Sequence, residues 1–228
     1  MRIDFDTSVN FNSKAYPIMP YVIKTKHGKL RVYEVSQKDL DIDRFIEKLT
    51  KFFSQNFASM TNDPEWRIFS NKHHHKYKMM FENLASHYTS KVKTDDSHRT
   101  LLLVKDKRNK IQGACLSYGF DKLPNFKDKV CYIDSIAVNP AYRRYNIGKS
   151  LLIKSLEAAQ NTFKDAFLIG ERLAFGFYSK IGFKPMDKKH EGQALIIDSL
   201  SHFQNDYPQY VEFFTKSLND SKKRWYEL

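Results

Sequence analysis

Between positions 133 and 152 the chain reads Ile133-Asp134-Ser135-Ile136-Ala137-Val138-Asn139-Pro140-Ala141-Tyr142-Arg143-Arg144-Tyr145-Asn146-Ile147-Gly148-Lys149-Ser150-Leu151-Leu152. An apolar run stops at Asn139-Pro140, a short basic loop follows, and a helical apolar pattern opens at Ile147. The first backbone N–H groups of a helix find no acceptor within it, and they sit at the positive end of its dipole. A loop feeding such an end suits an anion the size of a diphosphate. Arg143, Arg144 and Lys149 add formal charge around it, and Gly148 lets a phosphate approach the backbone without a Cβ in the way. Asp134 is the second anomaly, a carboxylate interrupting an apolar strand. Alternation puts its side chain on the same face as Ile136 and Tyr132. Such a group either accepts a proton or pairs with a neighbouring Lys or Arg.

Other reactive side chains lead less far. His73-His74-His75 invites a metal reading, but adjacent residues point in different directions on a helix or strand, so three ligands do not converge. No metal is expected. Cys115 and Cys131, the two cysteines, are too few for a disulfide framework and both fall in strand-like runs. Buried, reduced thiols are expected.

The elements that position the loop follow from periodicity. Leu30 to Val35 alternates as a strand. Asp39, Asp41 and Asp43 then lead into Ile42, Phe45, Ile46, Leu49, Phe52 and Phe53 at helical spacing. A second helix is expected over Tyr77 to Tyr88. Thr100 to Val104 and Ile111 to Tyr118, joined by Lys107-Arg108-Asn109-Lys110, read as a hairpin. Val130 to Val138 is a further strand, the helix from Ile147 follows, and Asp165 to Gly170 is a strand. Arg172 to Lys180 reads as a helix stopped at Gly182. Gln193 to Ile197 is expected as a strand, and Gln209 to Leu218 as an amphipathic helix carrying Tyr210, Val211, Phe214 and Leu218. The fold class is mixed α/β rather than doubly wound.

The chain of 228 residues is 41% hydrophobic, with 18 Phe and 13 Tyr, enough bulk for a substantial core. Its longest apolar run near a strand, Leu101-Leu102-Leu103-Val104, is far short of the ~20 residues a bilayer helix needs. No apolar signal region follows Met1, so a cytoplasmic location is expected and no membrane partner. The net charge of +12 draws anions, but it is spread without a basic block. It disfavours a polycationic partner and is friendlier to an acidic peptide or a charged tRNA. Other nucleic acid is not expected.

The basic loop resembles motif A of the GNAT N-acetyltransferase superfamily, Gln/Arg-x-x-Gly-x-Gly/Ala. Arg143 matches the first position and Gly148 the last, while Asn146 stands where the first glycine is usual. Asn tolerates positive φ better than other non-glycine residues. Arg144 also replaces a residue that is commonly glycine. Downstream, Glu171-Arg172-Leu173-Ala174-Phe175-Gly176-Phe177-Tyr178-Ser179-Lys180-Ile181-Gly182-Phe183 resembles motif B, Asn-x-x-Ala-x-x-x-Tyr-x-Lys-x-Gly-Phe. Glu171 replaces its Asn. The likeness is clear from Thr100 to Phe183.

That resemblance implies a GNAT-like mixed, mostly antiparallel sheet with two splayed parallel strands and helices on both faces. It implies acetyl-CoA as co-substrate, bound along Ile136, Ala137 and Val138, with the free backbone groups of Ile136 and Val138 pairing with the pantetheine. The diphosphate would lie on main-chain N–H groups of Arg144, Tyr145, Asn146, Ile147, Gly148 and Lys149, with Arg143 adding charge, and Glu171 would either orient the pantetheine region or pair with Arg172. Tyr178 matches the family tyrosine that protonates the departing thiolate. Asp134 stands where some members carry an acid able to receive the proton of the amine acceptor, a small molecule or peptide. The divisions expected are an irregular arm over 1–28, the acyltransferase domain over 29–200 and a helical extension over 201–228. Two other classes fit the same residues: a non-catalytic acyl-CoA-binding module and a basic nucleic-acid-binding protein.

Overall fold

The computed structural model of the protein describes residues 22–35, 44–58, 100–121, 126–171, 174–186 and 211–218. In chain order the elements are β1 (Val22–Thr25), β2 (Gly28–Glu34), α1 (Phe45–Ala58), β3 (Thr100–Lys105), β4 (Ile111–Phe120) and β5 (Val130–Val138). After a 3₁₀ turn at Pro140–Tyr142 come α2 (Ile147–Ala159), β6 (Asp165–Glu171), α3 (Phe175–Ser179), β7 (Lys184–Pro185) and β8 (Val211–Ser217). The described strands form one sheet in the order β1-β2-β3-β4-β5-β6-β8-β7. Within it β5 and β6 are parallel and the other pairs antiparallel.

Alternation along the strands divides the core into two layers. On one face Leu102, Val104, Cys115, Ile133 and Leu168 pack under Ile147, Leu151, Leu152 and Leu156 of α2. On the other, Leu101, Leu103, Ala114, Leu116 and Ala137 pack under Leu49, Phe52 and Phe53 of α1. Ser117 Oγ and Ser155 Oγ, 2.6 Å apart in the interior, satisfy each other and pin α2 to β4.

The hairpin, the strand at Val130–Val138 and the helix from Ile147 fall where the sequence puts them. Two expectations do not hold. Gln209 to Leu218 is not a helix: Val211–Ser217 is β8, paired antiparallel with β6 from Asp165↔Ser217 to Glu171↔Val211. Val-Glu-Phe-Phe-Thr-Lys-Ser is β-branched and aromatic, its apolar spacing too short to separate the two periods, and the open edge of β6 decides for a strand. The stretch read as an irregular arm contains β1, which closes a tight hairpin on β2 through Thr25↔Gly28. The helix expected at Tyr77 to Tyr88, the strand at Gln193 to Ile197 and His73-His74-His75 lie outside the described residues.

Candidate functional site

The parallel pairing of β5 with β6 runs Val130↔Asp165, Cys131↔Ala166, Tyr132↔Phe167 and Ile133↔Leu168, and stops there. Both strands go on, β5 against β4 as far as Val138 and β6 against β8 as far as Glu171. They therefore part, leaving a cleft between Asp134–Val138 and the end of β6. A bulge accompanies the parting: Leu116 faces Ser135 and Ser117 faces Ile133, so Asp134 is the extra residue with no cross-strand partner. Beyond the bulge Asn139 N–H donates to the Gln112 carbonyl at 3.0 Å. By alternation the main chain of Ala137 also turns to β4, while that of Ile136 and Val138 turns to the cleft.

The bulge also overturns the expected placement of Asp134. Ile136 packs with the α2 layer, whereas Ser135 and Ala137 lie opposite Leu116 and Ala114 of the α1 layer. The extra residue breaks the period of two, so Asp134 lies on the face of Ser135 and Tyr132, opposite Ile136. Asp134 is 6% exposed, and its carboxylate accepts from Ser135 Oγ at 2.7 Å and Tyr118 Oη at 3.2 Å. An aromatic group surrounds it: Tyr132 stacks on Phe167 at 4.6 Å and meets Tyr118 edge-on at 5.2 Å. Tyr118 and Ser135 escape sequence reading because their relation to Asp134 exists only in the paired, bulged strands.

Tyr178 stands on the other face. It lies in α3, 7% exposed, with its ring 5.3 Å from that of Phe214 and 6.2 Å from that of Phe183. The ring rests on the backbone of Gly170, where an added Cβ would come within 2.7 Å of Tyr178 Cε2. Gly170 is near the end of β6, past the last residue paired with β5. Tyr178 and Asp134 thus flank the cleft from opposite sides of the sheet. The turn that ends α3 has Gly182 at φ 89°, and the Tyr178 carbonyl accepts from Ile181 N–H at 3.0 Å and Phe183 N–H at 3.1 Å. The glycine expected to stop this helix does so.

The basic loop is built as a strut and a turn. Asn139 Oδ1 accepts from Ala141 N–H at 3.1 Å, and Asn139 Nδ2 donates to Gln112 Oε1 at 2.8 Å. Arg143 Nε donates to the Val138 carbonyl at 3.3 Å, tying the loop back to the end of β5. Arg144 at φ 67° and Asn146 at φ 59° are both left-handed, so Asn146 takes the conformation that its type permits. A left-handed arginine is unfavourable by roughly 1–2 kcal/mol. Asn146 makes no side-chain cap, and the helix ladder begins with Ser150 N–H to the Asn146 carbonyl at 2.9 Å. The N–H groups of Ile147, Gly148 and Lys149 are therefore left out of the ladder. Ile147 is buried under β4 while Tyr145 is half-buried and Arg144 exposed. Gly148 backs onto Phe177 and Val138, where an added Cβ would meet only ordinary contacts of 3.4–3.6 Å. Glu171 ends β6, paired with Val211.

Burial pushes the Cys115 and Cys131 thiols up to about 12, so both are protonated at neutral pH. Neither is a nucleophile in the folded protein. Among the described residues no group of three His, Cys, Asp or Glu could hold a metal ion. None of the described helices is long and apolar enough to cross a membrane.

The family model for the acetyltransferase (GNAT) family matches residues 60–183, more than half of the chain. No curated protein sequence matches. Among solved structures, an acetyltransferase of the GNAT family from Staphylococcus aureus Mu50 shares 18% identity at a TM-score of 0.50, over 83% of this chain and 99% of that one. A histone acetyltransferase HPA2 and related acetyltransferase from Corynebacterium glutamicum shares 16% at a TM-score of 0.52, over 81% and 94%. The PaiA N-acetyltransferase of Thermoplasma acidophilum, in complex with coenzyme A, shares 15% at 0.46, over 82% and 98%. The first two likenesses bear on the fold.

Proposed function

The chain belongs to the acetyltransferase (GNAT) family, and from that premise we propose that it moves an acetyl group from acetyl-CoA to a primary amine by direct attack. The observation that carries this reading is the parting of β5 and β6 after Ile133 and Leu168, beside a helix whose N-terminal residue Asn146 makes no side-chain cap. Main-chain groups of Ile136 and Val138 at the cleft edge would pair with pantetheine as an added strand does. The loop from Arg143 to Lys149 would hold the diphosphate through backbone N–H groups and positive charge.

The two faces divide the chemistry. Tyr178 lies on the α2 face, the side of the diphosphate loop, and would donate its phenolic proton to the departing thiolate. Asp134 lies on the opposite face and would take the proton of the incoming ammonium, so that a neutral amine attacks the thioester carbonyl. As the C–N bond forms and the C–S bond breaks, the proton removed on one face is matched by one delivered on the other. Donor and acceptor then enter from opposite sides and meet in the cleft. The acceptor is a small-molecule or peptide amine, and the positive surface suits one carrying an anionic group.

Calorimetry with CoA, together with thiol release from acetyl-CoA over a panel of amines, tests the reading. CoA binding that Gly148→Asp abolishes, plus amine-dependent thiol release, is the expected result. Binding without release over a broad panel would leave a non-catalytic CoA-binding module. Tight binding to a generic polynucleotide that CoA does not compete would favour the nucleic-acid reading.

A further inference from the structure

The β1–β2 turn approaches the basic loop. His27, at its tip, packs its ring against Tyr142, tilted by 51° with centroids 4.8 Å apart, and meets Tyr145 edge-on at 6.2 Å. These tyrosines bracket Arg143 and Arg144, so the contact sets the turn beside the proposed diphosphate site. The turn is braced from within: Thr25 Oγ1 accepts from His27 N–H at 3.1 Å and donates to the Gly28 carbonyl at 2.9 Å.

What the contact brings together is two stretches of chain rich in positive charge. From Val22 to Tyr33 the chain holds Lys24, Lys26, Lys29 and Arg31 and no carboxylate, and none occurs from Ser135 to Leu156. Lys26, His27 and Arg144 are all exposed. Among the described residues no acid pairs with Lys26 or Arg144. Like charges repel, and the aromatic contact joins the two cationic segments against that repulsion. One diphosphate on the α2 loop leaves the cations of the turn unanswered. CoA carries a further phosphate monoester on its ribose 3′-oxygen, with roughly −1.5 to −2 charge near neutral pH.

We infer that the β1–β2 turn is a second phosphate-recognition element, in which Lys26 and His27 donate to the ribose 3′-phosphate of the CoA whose diphosphate lies on the α2 loop. This rests on the CoA reading above. The chain would thereby distinguish CoA from 3′-dephospho-CoA.

The test is titration calorimetry of both nucleotides against the full chain and against Lys26→Ala, His27→Ala and Lys26→Arg. The wild type should bind CoA about tenfold tighter than 3′-dephospho-CoA, a gap in keeping with one charge-assisted contact. Lys26→Ala and His27→Ala should each weaken CoA several-fold and leave 3′-dephospho-CoA unchanged, while Lys26→Arg keeps the preference. Both positions are exposed, and an unchanged Tm checks the fold. Equal affinity of the wild type for the two nucleotides, or an undiminished preference in Lys26→Ala, would overturn the inference while leaving the CoA site standing. Binding of neither nucleotide would overturn both.

Discussion

Two side chains carry the proposed proton transfers, and each sits where its role makes a distinct demand. Tyr178 is buried against Phe214 and Phe183, so removing its hydroxyl leaves the packing of the ring intact. Tyr178→Phe should lower kcat about a hundredfold, the usual scale of a lost general acid, with CoA affinity nearly unchanged. Steady-state kinetics beside calorimetry separate the two, and full turnover in the variant would take Tyr178 out of the mechanism. Asp134 must be ionised to accept a proton, so activity should fall as pH drops through its titration. Asp134→Asn should remove that acid limb from the kcat/KM profile, whereas a carboxylate kept only to anchor Tyr118 and Ser135 would leave the shape unaltered. Tyr178 and the loop are legible in the sequence because they sit in contiguous patterns. The true face of Asp134 is not, since a bulge is a property of two paired strands.

At the scale of elements, one strand with an extra residue and one with a glycine make the cleft. The bulge at Asp134 ends the pairing on the β5 side, and Gly170 lets α3 lay Tyr178 on β6. An alanine at that position would press on the side chains of Tyr178 and Leu168, at 2.7 and 3.1 Å. Gly170→Ala should therefore destabilise by about 1–3 kcal/mol, the range for overpacking, and lower kcat by displacing the phenol. Denaturant unfolding and single-turnover kinetics read the two effects, and an unmoved rate would mean that the ring position does not matter. The strand at Val211–Ser217 was not legible as such. Its short run of apolar residues satisfies a helix period as well as a strand period, and only the unpaired edge of β6 selects between them.

For the whole molecule, the sheet separates two apolar layers and buries both thiols within the α2 layer. A thiol held up at about 12 against an ordinary 9 makes the native state prefer the protonated form. That contribution is complete below about pH 9 and is lost as pH rises towards 12, so alkali should weaken the fold from about pH 9 upward. At pH 8 an alkylating reagent should label Cys115 and Cys131 only as fast as the molecule opens globally. Labelling faster than unfolding, measured by mass spectrometry against the unfolding rate, would show that this layer opens locally.

Local order settles much of this protein before any folding: that the runs at Thr100–Lys105, Ile111–Phe120 and Val130–Val138 are strands, where α2 begins, that Asn146 turns left-handed, and that a basic loop meets a helix start. Those features depend on neighbours along the chain, through periodicity, turn chemistry and the orphan N–H groups of a helix. Tertiary structure alone decides the register that strands Asp134 in a bulge, the edge that makes 211–217 a strand, and the tilted contact of His27 with Tyr142. Each of these is a relation between segments far apart in sequence, and its energy exists only once the sheet has brought them together.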